Sequence, residues 1–597
     1  MNVYENVPAR VFDLLPKLSK EFGADKKLLV GKENGVWRPY TVQEVQNLSD
    51  TVSYGLLKLG IQKGDRVAFV SRNCPEWHIL DFAIQQIGAI GVPLYPTISE
   101  EDYKYNLILS ESKYLFIYGK DIYRKIERIL TDIPTLQGVY SFREVDADNV
   151  KLWDEVIELG KQNVDIERLE AARKQVEPSD IATIIYTSGT TGGQKGVMLT
   201  HDNFITDMEC LDAWFKADAN TKLLSYLPLS HIFEREVCYS FMNLGAVIYY
   251  AESLGAIVDN IGEIKPNVFA SIPRLIEKIH YKVITKGQKM KGLSKSIFFW
   301  ALNLGYRYDD SGNNSIFYKI QQKIADLLVY SKLRKVLGDE LDVIIVGGAA
   351  IQPRLARLFT AMGIPICEGY GLTETSPVIS VNSLVTGKVK IGTVGQPIQN
   401  VEVKISEEGE ILARGPIIMK GYYKDPELTA EAIEADGWFH TGDKGLIDED
   451  GFLKITGRVK EMFKTSMGKY VSPAAVENKL LESPFFSTIM VIGEGQKFAA
   501  ALIVPNFEHL RSWCKIKGIT YTTDAEMVKE KVIVDRMRKE VDKYNKSLGD
   551  YERVMKFELI AADWGIDTGE MTGTMKLKRS AIAEKYKDII DKIYGNS

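Results

Sequence analysis

The stretch that decides the fold runs from Ile181 to Gly196 and reads IATIIYTSGTTGGQKG. Its first six residues are apolar, β-branched or aromatic, which is typical of a buried strand, and hydroxyls, glycines and one lysine follow at once. Such a loop presents backbone amides and hydroxyls to phosphate groups. It is not a Walker A loop, because Gln194 precedes Lys195 where that motif requires Gly. We therefore expect a strand that leads into a phosphate-binding loop, with a ligand-free surface loop as the alternative.

Two further strand-like runs end in similar loops. Asp342–Val346 leads into GGAA, and Ile364–Cys367 leads into EGYGLTET. Short strand-like and helical stretches alternate from about Arg66 to Ala361, which is typical of an α/β protein. We expect all three loops to lie at one carboxyl edge of a sheet, where ligands of α/β proteins usually bind.

The character of the sequence changes at Gln399. The run VEVKI-SEEG-EILARG indicates a hairpin, and Asp450-Gly451 is a tight-turn signal. Beyond Lys460 we expect strands at Ile489–Ile492 and Phe498–Val504 and a charged helix from about Ala525 to Ser547. The predicted fold class is α/β, with a large N-terminal domain of layered α/β subdomains plus a β-rich subdomain, and a small α+β C-terminal domain. The predicted boundaries are 1–459, with the β-rich lobe at about 399–459, and 460–597.

Composition excludes several classes of function. The formal net charge is −5 and no long Lys/Arg tract occurs, so nucleic-acid binding is disfavoured. The five cysteines are scattered and never form a CxxC pair, which argues against a disulfide framework or a structural zinc site. The first residues lack the pattern of a secretory signal, and no run of about 18 apolar residues occurs. We expect a cytoplasmic protein.

The motifs together resemble those of the AMP-forming acyl-CoA synthetases, adenylation domains and luciferases. YTSGTTGGQKG is similar to the phosphate loop of that superfamily, and the other motifs follow in its order along nearly the whole chain. They are GGAA at Gly347–Ala350, GYGLTET at Gly369–Thr375, TGD at Thr441–Asp443, GRVKEMFK at Gly457–Lys464 and TGTMKLKR near the end. The resemblance implies ATP, Mg²⁺ and coenzyme A as cofactor or co-substrates. One departure is Gln194, which stands where the family generally has Pro; we expect little effect on chemistry.

The resemblance also implies roles for individual residues. Glu374 would hold Mg²⁺, Thr373 a phosphate oxygen and Tyr370 the purine, while Asp443 and Arg458 would contact the ribose. Taken singly, each could instead be an ordinary surface residue or turn residue. The remaining implied nucleotide contacts are Thr187, Ser188, Gly189, Thr190, Thr191, Gly192, Lys195, Gly347, Gly348, Ala349, Glu368, Gly369 and Gly371.

Adenylation brings two anions together and needs a cation between them. Lys576 resembles the family lysine that bridges the substrate carboxylate and the α-phosphate, and Lys578 is the competing assignment. In the family the small C-terminal domain is mobile and rotates between the two half-reactions. By resemblance Lys460 would be the hinge, and Gly468 would border the channel for the coenzyme A thiol.

Two features resemble the long-chain fatty acid branch. In LPLSHIFER, at Leu227–Arg235, the family places the His231 position beside the acyl and thioester channel; the alternative is a buried, hydrogen-bonded histidine. A stretch from about Tyr281 to Leu341 is absent from shorter relatives and carries the lysine-preceded aromatics Phe298, Phe299, Trp300 and Tyr306. These aromatics could lie on a membrane, peripherally at its inner face, or pack on their own domain.

The function predicted is a long-chain fatty acid–CoA ligase. Its partners would be small molecules, namely a fatty acid, ATP and coenzyme A, and the oligomeric state is left open. A P-loop ATPase or kinase is disfavoured by the Walker mismatch, and a silent relative is disfavoured because Glu374 and Lys576 are present. The alternatives are a fatty acyl-AMP ligase that delivers to a carrier protein and a CoA ligase for another carboxylic acid.

Overall fold

The computed structural model describes residues 8–188, 194–212, 214–253, 255–565, 568–572 and 576–595, with the side chains of Ser188 and Asp212 left out. The chain divides into two compact units. The first comprises 1–404, 412–440 and 448–453, and the second comprises 405–411, 441–447 and 454–597. The boundary near Lys460 inferred from the motifs stays a prediction.

The strands alternate with helices through the first unit and are fewer in the second. In chain order they are β1 (Lys27–Glu33), β2 (Val36–Thr41), β3 (Arg66–Val70), β4 (Ile90–Leu94), β5 (Tyr114–Ile117), β6 (Gly138–Ser141), β7 (Val150–Leu152), β8 (Ile181–Ser188), β9 (Gln194–Thr200), β10 (Lys222–Ser225), β11 (Val247–Tyr250), β12 (Val268–Ser271), β13 (Val343–Val346), β14 (Ile366–Gly371), β15 (Val378–Val381), β16 (Gln396–Pro397), β17 (Glu402–Ile405), β18 (Glu410–Arg414), β19 (Gly421–Tyr422), β20 (Phe439–Ile447), β21 (Leu453–Arg458), β22 (Phe463–Lys464), β23 (Tyr470–Val471), β24 (Phe486–Ile492), β25 (Ala499–Pro505) and β26 (Val554–Leu559).

Helices occur in both units. In chain order they are α1 (Leu14–Phe22), α2 (Val42–Lys58), α3 (Pro75–Gln86), α4 (Glu100–Ser110), α5 (Lys120–Ile126), α6 (Trp153–Gln162), α7 (Ile166–Gln175), α8 (His201–Asp212), α9 (Ile232–Asn243), α10 (Ile257–Ile264), α11 (Pro273–Gln288), α12 (Gly292–Gly305), α13 (Ile316–Ala325), α14 (Ser331–Val336), α15 (Pro353–Ala361), α16 (Pro426–Ala432), α17 (Pro473–Leu480), α18 (Phe507–Lys517), α19 (Asp524–Met527), α20 (Lys531–Asn545), α21 (Arg579–Lys585) and α22 (Lys587–Tyr594).

Two large sheets organise the first unit. One has the order β16-β15-β14-β13-β12-β10-β11-β1-β2 and the other β19-β9-β8-β4-β3-β5-β6-β7. The central strands of each are parallel neighbours, and strands such as β12 and β13 are buried along their whole length. Fully buried strands need apolar residues on both faces, which explains the continuous apolar runs that mark them in the sequence. The predicted α/β class is confirmed.

The expectation that all three loops share one sheet edge is wrong in part. β13 and β14 are parallel neighbours, so the GGAA and GYGLTET segments do leave the same edge. β8 belongs to the other sheet, where it pairs with β4 and β9. Sequence periodicity identifies a buried strand but carries no information about which strands pair over long distances.

The second unit has its own core around β24, β25 and β26. β24 pairs antiparallel with β25, and β25 pairs parallel with β26. The predicted strands are therefore present, and the predicted charged helix is two helices, α19 and α20. Leu502, Ile503 and Val541 are fully buried in this core. The arrangement is the expected α+β layering, while mobility of this unit stays a prediction.

The aromatic run of the long insertion packs inward. Phe298 is buried, and Phe299, Trp300 and Tyr306 are half-buried against the main core of the first unit. These four side chains therefore do not form an exposed membrane-facing surface. Within the described ranges, no helix has both the length and the apolar content that crossing a bilayer requires.

Candidate functional site

The phosphate-loop motif begins in strand β8 and ends in strand β9, and these two strands are paired. β8 and β9 are antiparallel, with Tyr186 opposite Gly196 and Thr187 opposite Lys195. Both flanks of the motif are thereby fixed by strand pairing, which holds the start and end of the loop at one end of the sheet. Gly189, Thr190, Thr191 and Gly192, and the side chain of Ser188, lie outside the described residues.

Gln194 at the base of this hairpin has a specific partner. The Asn106 Nδ2 atom on α4 donates a hydrogen bond to Gln194 Oε1 at 2.9 Å, and Asn106 is buried. A buried amide of this kind is costly to leave unpaired. Gln194 therefore ties the loop to α4 through its side chain, whereas a proline would restrict the same position through its ring.

Lys195 and Glu374 converge on one tyrosine that sequence reasoning missed. Lys195 Nζ lies 4.9 Å from the ring centroid of Tyr422, and the Tyr422 hydroxyl donates a hydrogen bond to Glu374 Oε1 at 3.0 Å. β19 places Tyr422 opposite Val197 on β9. A cation suited to phosphates and a carboxylate suited to Mg²⁺ are thus held on either side of one aromatic side chain.

The backbone around Glu374 is also fixed. Glu374 lies in a short 3₁₀ turn, Thr373–Thr375, and its carbonyl accepts a hydrogen bond from the Met419 amide at 2.9 Å. Burial raises the pKa of Tyr422, and the neighbouring Glu374 carboxylate raises it further, so the phenol remains a donor at neutral pH.

Glu374 offers a single carboxylate for a metal. In the part of the chain that the structure describes, no group of three or more His, Cys, Asp or Glu side chains could enclose an ion. Mg²⁺ is commonly held by one or two carboxylates with phosphate oxygens and water completing its octahedron. The donor set around Glu374 therefore fits a Mg²⁺ ion that arrives with a nucleotide.

The EGYG segment is a strand and not a loop. β14 extends through Gly369 and Gly371. A Cβ at Gly371 would lie 1.6 Å from the carbonyl oxygen of Pro377, the residue directly before β15. Only glycine allows this approach. Tyr370 is half-buried opposite Ser380 on β15, and Thr373 is buried where the 3₁₀ turn begins.

Glu368 links this strand to the GGAA segment. Its Oε1 atom accepts a hydrogen bond from the Ile351 amide at 3.1 Å, and burial raises its pKa to about 8. Gly348 has φ +79°, a left-handed conformation that favours glycine, so the GGAA segment turns at that residue before Ala349. Gly347 packs closely under the ring of Phe233. The structure thus brings the GGAA and GYGLTET motifs together.

His231 is the N-cap residue of helix α9. Its Nδ1 atom accepts a hydrogen bond from the Phe233 amide at 3.1 Å, and its ring meets Tyr95 edge-on with centroids 6.3 Å apart. The imidazole is half-buried and caps a helix, so it has a structural function in addition to any role in the channel. Phe233, whose amide His231 caps, packs against Gly347 of the GGAA segment.

Arg235, at the end of LPLSHIFER, is structural. It is fully buried, and its guanidinium donates to both carboxylate oxygens of Asp81 at 2.7 and 2.8 Å. Tyr239 also contacts that carboxylate. The pair joins α9 to α3, and breaking a buried ion pair of this kind is strongly destabilising.

In the second unit, Asp443 and Arg458 are neighbours. Arg458 Nε lies 3.1 Å from Asp443 Oδ1, and the Asp443 side chain is buried. The Val459 amide donates to the Gly442 carbonyl at 2.8 Å, which keeps the two motif segments side by side. The two residues to which the resemblance gives ribose contacts are therefore adjacent.

The predicted hinge and channel residues lie in turns. Lys460 is exposed in the turn after β21, a position where backbone rotation disturbs no strand. Gly468 has φ +79° in the turn between β22 and β23, and its amide donates to the Thr465 carbonyl at 2.9 Å. Gly468 is thus required by this turn, and its role beside a thiol channel stays a prediction.

Lys576 and Lys578 flank a short bridge near the end of the chain. The Lys576 amide donates to Thr572 Oγ1 at 3.1 Å, and Met571 pairs with Leu577. Both lysine side chains are exposed, and Lys578 precedes helix α21. The structure therefore keeps both lysines as candidates for the bridging role.

The family of the protein follows from these motifs and from comparison with known proteins. The family model described as AMP-binding enzyme matches residues 19–423, and the model described as AMP-binding enzyme C-terminal domain matches residues 461–597. This chain belongs to the AMP-binding enzymes. The point where the second match begins lies next to the predicted hinge at Lys460.

Named relatives and solved structures agree with this membership. The chain is 33% identical to long-chain-fatty-acid–CoA ligase FadD15 of Mycobacterium bovis over 99% of this chain and 97% of that protein. It is 31% identical to long-chain-fatty-acid–CoA ligase ACSBG2 of Homo sapiens over 95% of this chain and 90% of that protein. The crystal structure of the anthranilate CoA ligase AuaEII with anthranoyl-AMP shares the fold, with a TM-score of 0.72, 19% identity and coverage of 98% and 99%.

Proposed function

We propose that the protein is a long-chain fatty acid–CoA ligase. It activates a fatty acid with ATP as an acyl-adenylate, releases pyrophosphate, and transfers the acyl group to the thiol of coenzyme A. The arrangement of Lys195 and Glu374 on either side of Tyr422 supports the nucleotide chemistry most strongly, because it pairs a phosphate cation with a metal carboxylate. Similarity to long-chain-fatty-acid–CoA ligases over nearly the full chain supports the choice of acid and acceptor.

In the first half-reaction a carboxylate oxygen attacks the α-phosphorus of ATP, and the bond to the bridging oxygen breaks to release pyrophosphate. Lys195 and the hairpin backbone bind the phosphates, and Tyr422 holds the Glu374 carboxylate in position. Mg²⁺, when bound at Glu374, supplies positive charge to the phosphate oxygens. Lys576 donates to the carboxylate and the α-phosphate as charge moves between them.

The nucleoside is held by groups from several motifs. Tyr370 offers an aromatic face to the purine, and Thr373 a hydroxyl to the α-phosphate. Asp443 accepts hydrogen bonds from the ribose hydroxyls, and Arg458, 3.1 Å from it, fixes the carboxylate and adds a second donor. The GGAA residues Gly347, Gly348 and Ala349 border the acyl-adenylate.

In the second half-reaction the coenzyme A thiol attacks the acyl carbonyl, and AMP leaves with the electrons of the broken acyl–phosphate bond. Rotation at Lys460 would remove Lys576 from the site and open a path for the thiol past Gly468. His231 borders the acyl and thioester channel. We place the reaction in the cytoplasm, where coenzyme A and ATP are available and where the five buried cysteine thiols would remain reduced.

Acid-dependent pyrophosphate release tests this assignment. Saturated acids from two to twenty carbons are each supplied with ATP and Mg²⁺, with and without coenzyme A, and both pyrophosphate and thioester are measured. We expect release to be greatest with long-chain acids and thioester to form only with coenzyme A. Release without thioester would favour an acyl-AMP ligase that serves a carrier protein. Release only with short or aromatic acids would favour a CoA ligase for another acid.

A further inference from the structure

Helix α13 presents apolar side chains to solvent and polar side chains to the protein. Ile316, Phe317, Ile320 and Ile324 are 72, 77, 52 and 47% exposed. Their spacing places them on one side of the helix. In a helix of a water-soluble domain the apolar stripe normally faces the core, so this orientation is reversed.

The inward side of α13 explains why the helix packs this way. The Tyr318 hydroxyl donates to the Leu304 carbonyl at 3.1 Å, and Gln322 Nε2 donates to the Ala361 carbonyl at 2.8 Å. Ala325, on the same side, is fully buried. These hydrogen bonds fix the rotation of the helix about its axis. The isoleucines therefore face solvent in a defined orientation.

The apolar surface continues beyond α13. Leu327 and Leu328, in the π-helical turn Asp326–Tyr330, are 75 and 39% exposed, and Leu293 at the start of α12 is 77% exposed. Helix α12 packs against α13. We call the six residues Ile316, Phe317, Ile320, Ile324, Leu327 and Leu328 the α13 face. Six large apolar side chains together exceed the scattered exposure that is ordinary on a protein surface.

The segment of the sequence that carries the α13 face is rich in positive charge. Residues 278–338 contain twelve Lys and Arg and three Asp and Glu, a formal charge of +9 in a chain whose net charge is −5. Lys319 and Lys323 on α13 itself are exposed, as are Lys286, Lys289, Lys291 and Lys295. Each of the three acidic side chains has a partner within the protein. Asp326 forms an ion pair with Arg334, Asp310 accepts a hydrogen bond from the Ile391 amide, and Asp309 accepts one from the Ser311 amide.

We infer that the α13 face is a docking surface for an anionic lipid bilayer. Apolar side chains enter the boundary of the acyl chains while flanking lysines remain at the headgroups, the arrangement by which interfacial helices bind membranes. Each basic residue near an anionic surface adds to the electrostatic attraction. A second copy of this chain is the less suitable occupant, because a two-fold interface would bring two segments of charge +9 against each other.

The inference goes beyond the proposed ligase activity and is independent of it. Vesicles of phosphatidylcholine alone, and of two parts phosphatidylcholine to one part phosphatidylglycerol, are sedimented with the full chain at low and at physiological salt. We expect binding to the anionic vesicles that weakens with salt, and weak binding to phosphatidylcholine alone. No binding to anionic vesicles at low salt would overturn the inference.

Two paired variants locate the surface. Phe317→Ser/Ile320→Ser should lower the partition coefficient for anionic vesicles at least about tenfold, because two large apolar side chains lose their burial in lipid. Lys319→Glu/Lys323→Glu should lower it by a similar factor and remove much of the salt dependence. The matched control is Ile166→Ser/Ile516→Ser, two apolar residues that are 65 and 74% exposed on other helices.

The outcomes separate the alternatives. Equal loss in the control pair would show that binding is not located at α13. A dimer in analytical ultracentrifugation that Phe317→Ser/Ile320→Ser dissociates, with vesicle binding unchanged, would assign the face to self-association and overturn the inference. Vesicle binding by a chain that releases no pyrophosphate with any acid would leave the inference standing and refute the ligase proposal.

Discussion

The hydroxyl of Tyr422, on the edge strand β19, donates a hydrogen bond at 3.0 Å to Oε1 of Glu374, which lies in the 3₁₀ turn after β14 and 48 positions earlier in the chain. Tyr422 is buried and its ring faces Lys195. The Glu374 carboxylate, to which we assign the metal, is thereby oriented by a group that no motif contains. We regard Tyr422 as a positioning residue for the phosphate and metal end of the site.

Tyr422→Phe should weaken the use of Mg²⁺ while preserving the fold. The ring stays in place, and Glu374 loses one charge-assisted hydrogen bond, a contribution of about 1.5–3 kcal/mol. The Mg²⁺ concentration for half-maximal pyrophosphate release should rise roughly tenfold or more. Tyr423→Phe is the matched control. If the two variants show the same Mg²⁺ dependence, Tyr422 does not position Glu374.

Gln194→Ala should destabilise the hairpin base. The Asn106 side-chain amide donates a hydrogen bond to Gln194 Oε1 at 2.9 Å. Without the Gln194 side chain, this buried amide would lose that acceptor. The free energy of unfolding should fall by about 1–3 kcal/mol, measured by urea denaturation. Gln43→Ala, at an exposed pair with Asn47, should change it by less than about 0.5 kcal/mol. An equal, small effect of both would show that the Asn106–Gln194 bond carries no stability.

Lys576→Ala should separate the two half-reactions. Removal of the cation should abolish acid-dependent pyrophosphate release, because the two reacting anions lose the charge between them. Thioester formation from supplied acyl-AMP should persist. Lys578→Ala serves as the comparison, since both lysines are exposed beside the same bridge. The reverse pattern, with Lys578→Ala the inactive variant, would move the role to Lys578.

Glu234→Gln should change the pH dependence of stability. Glu234 is fully buried, accepts a hydrogen bond from the Tyr226 amide at 3.1 Å, and burial raises its pKa from 4.5 to about 8. The folded chain therefore keeps this proton while the unfolded chain loses it near pH 4.5. The stability contributed by the protonated carboxyl is complete below pH 4.5 and is lost as pH rises through 8.

An amide at position 234 does not titrate, so the variant should gain stability relative to the natural chain as pH rises from about 5 to 8. The gain should reach a few kcal/mol, since each pKa unit corresponds to about 1.36 kcal/mol. Denaturant unfolding at several pH values measures the difference, with exposed Glu407→Gln as the control. A constant difference between variant and natural chain across this range would contradict the raised pKa.

Sequence reasoning reached the α/β class, the strands before each motif and the second small unit, because apolar runs and turn residues are local signals. It did not predict that β8 lies in a different sheet from β13 and β14, because strand pairing over long distances leaves no local signal in the sequence. Tyr422 was not predicted for the same reason. The GYY run in which it lies does not indicate its partner, because only the folded chain brings Glu374 beside it.

The long insertion shows the other limit. The sequence drew attention to the aromatic run there, but the side of each helix that packs depends on hydrogen bonds such as that from the Tyr318 hydroxyl to the Leu304 carbonyl. As a result the conspicuous aromatics Phe299 and Trp300 lie against the core, while Ile316 and Ile320 face solvent. The assignment of site roles to Lys576, His231, Lys460 and Gly468 still rests on resemblance.

The central claim is that one site makes an acyl-adenylate and then a coenzyme A thioester. The most direct measurement is the product balance with palmitate, ATP, Mg²⁺ and coenzyme A, in which AMP, pyrophosphate, ADP, phosphate and palmitoyl-CoA are quantified together. We expect AMP, pyrophosphate and palmitoyl-CoA in equal amounts and no ADP. Formation of ADP and phosphate, or consumption of ATP without dependence on the acid, would contradict it.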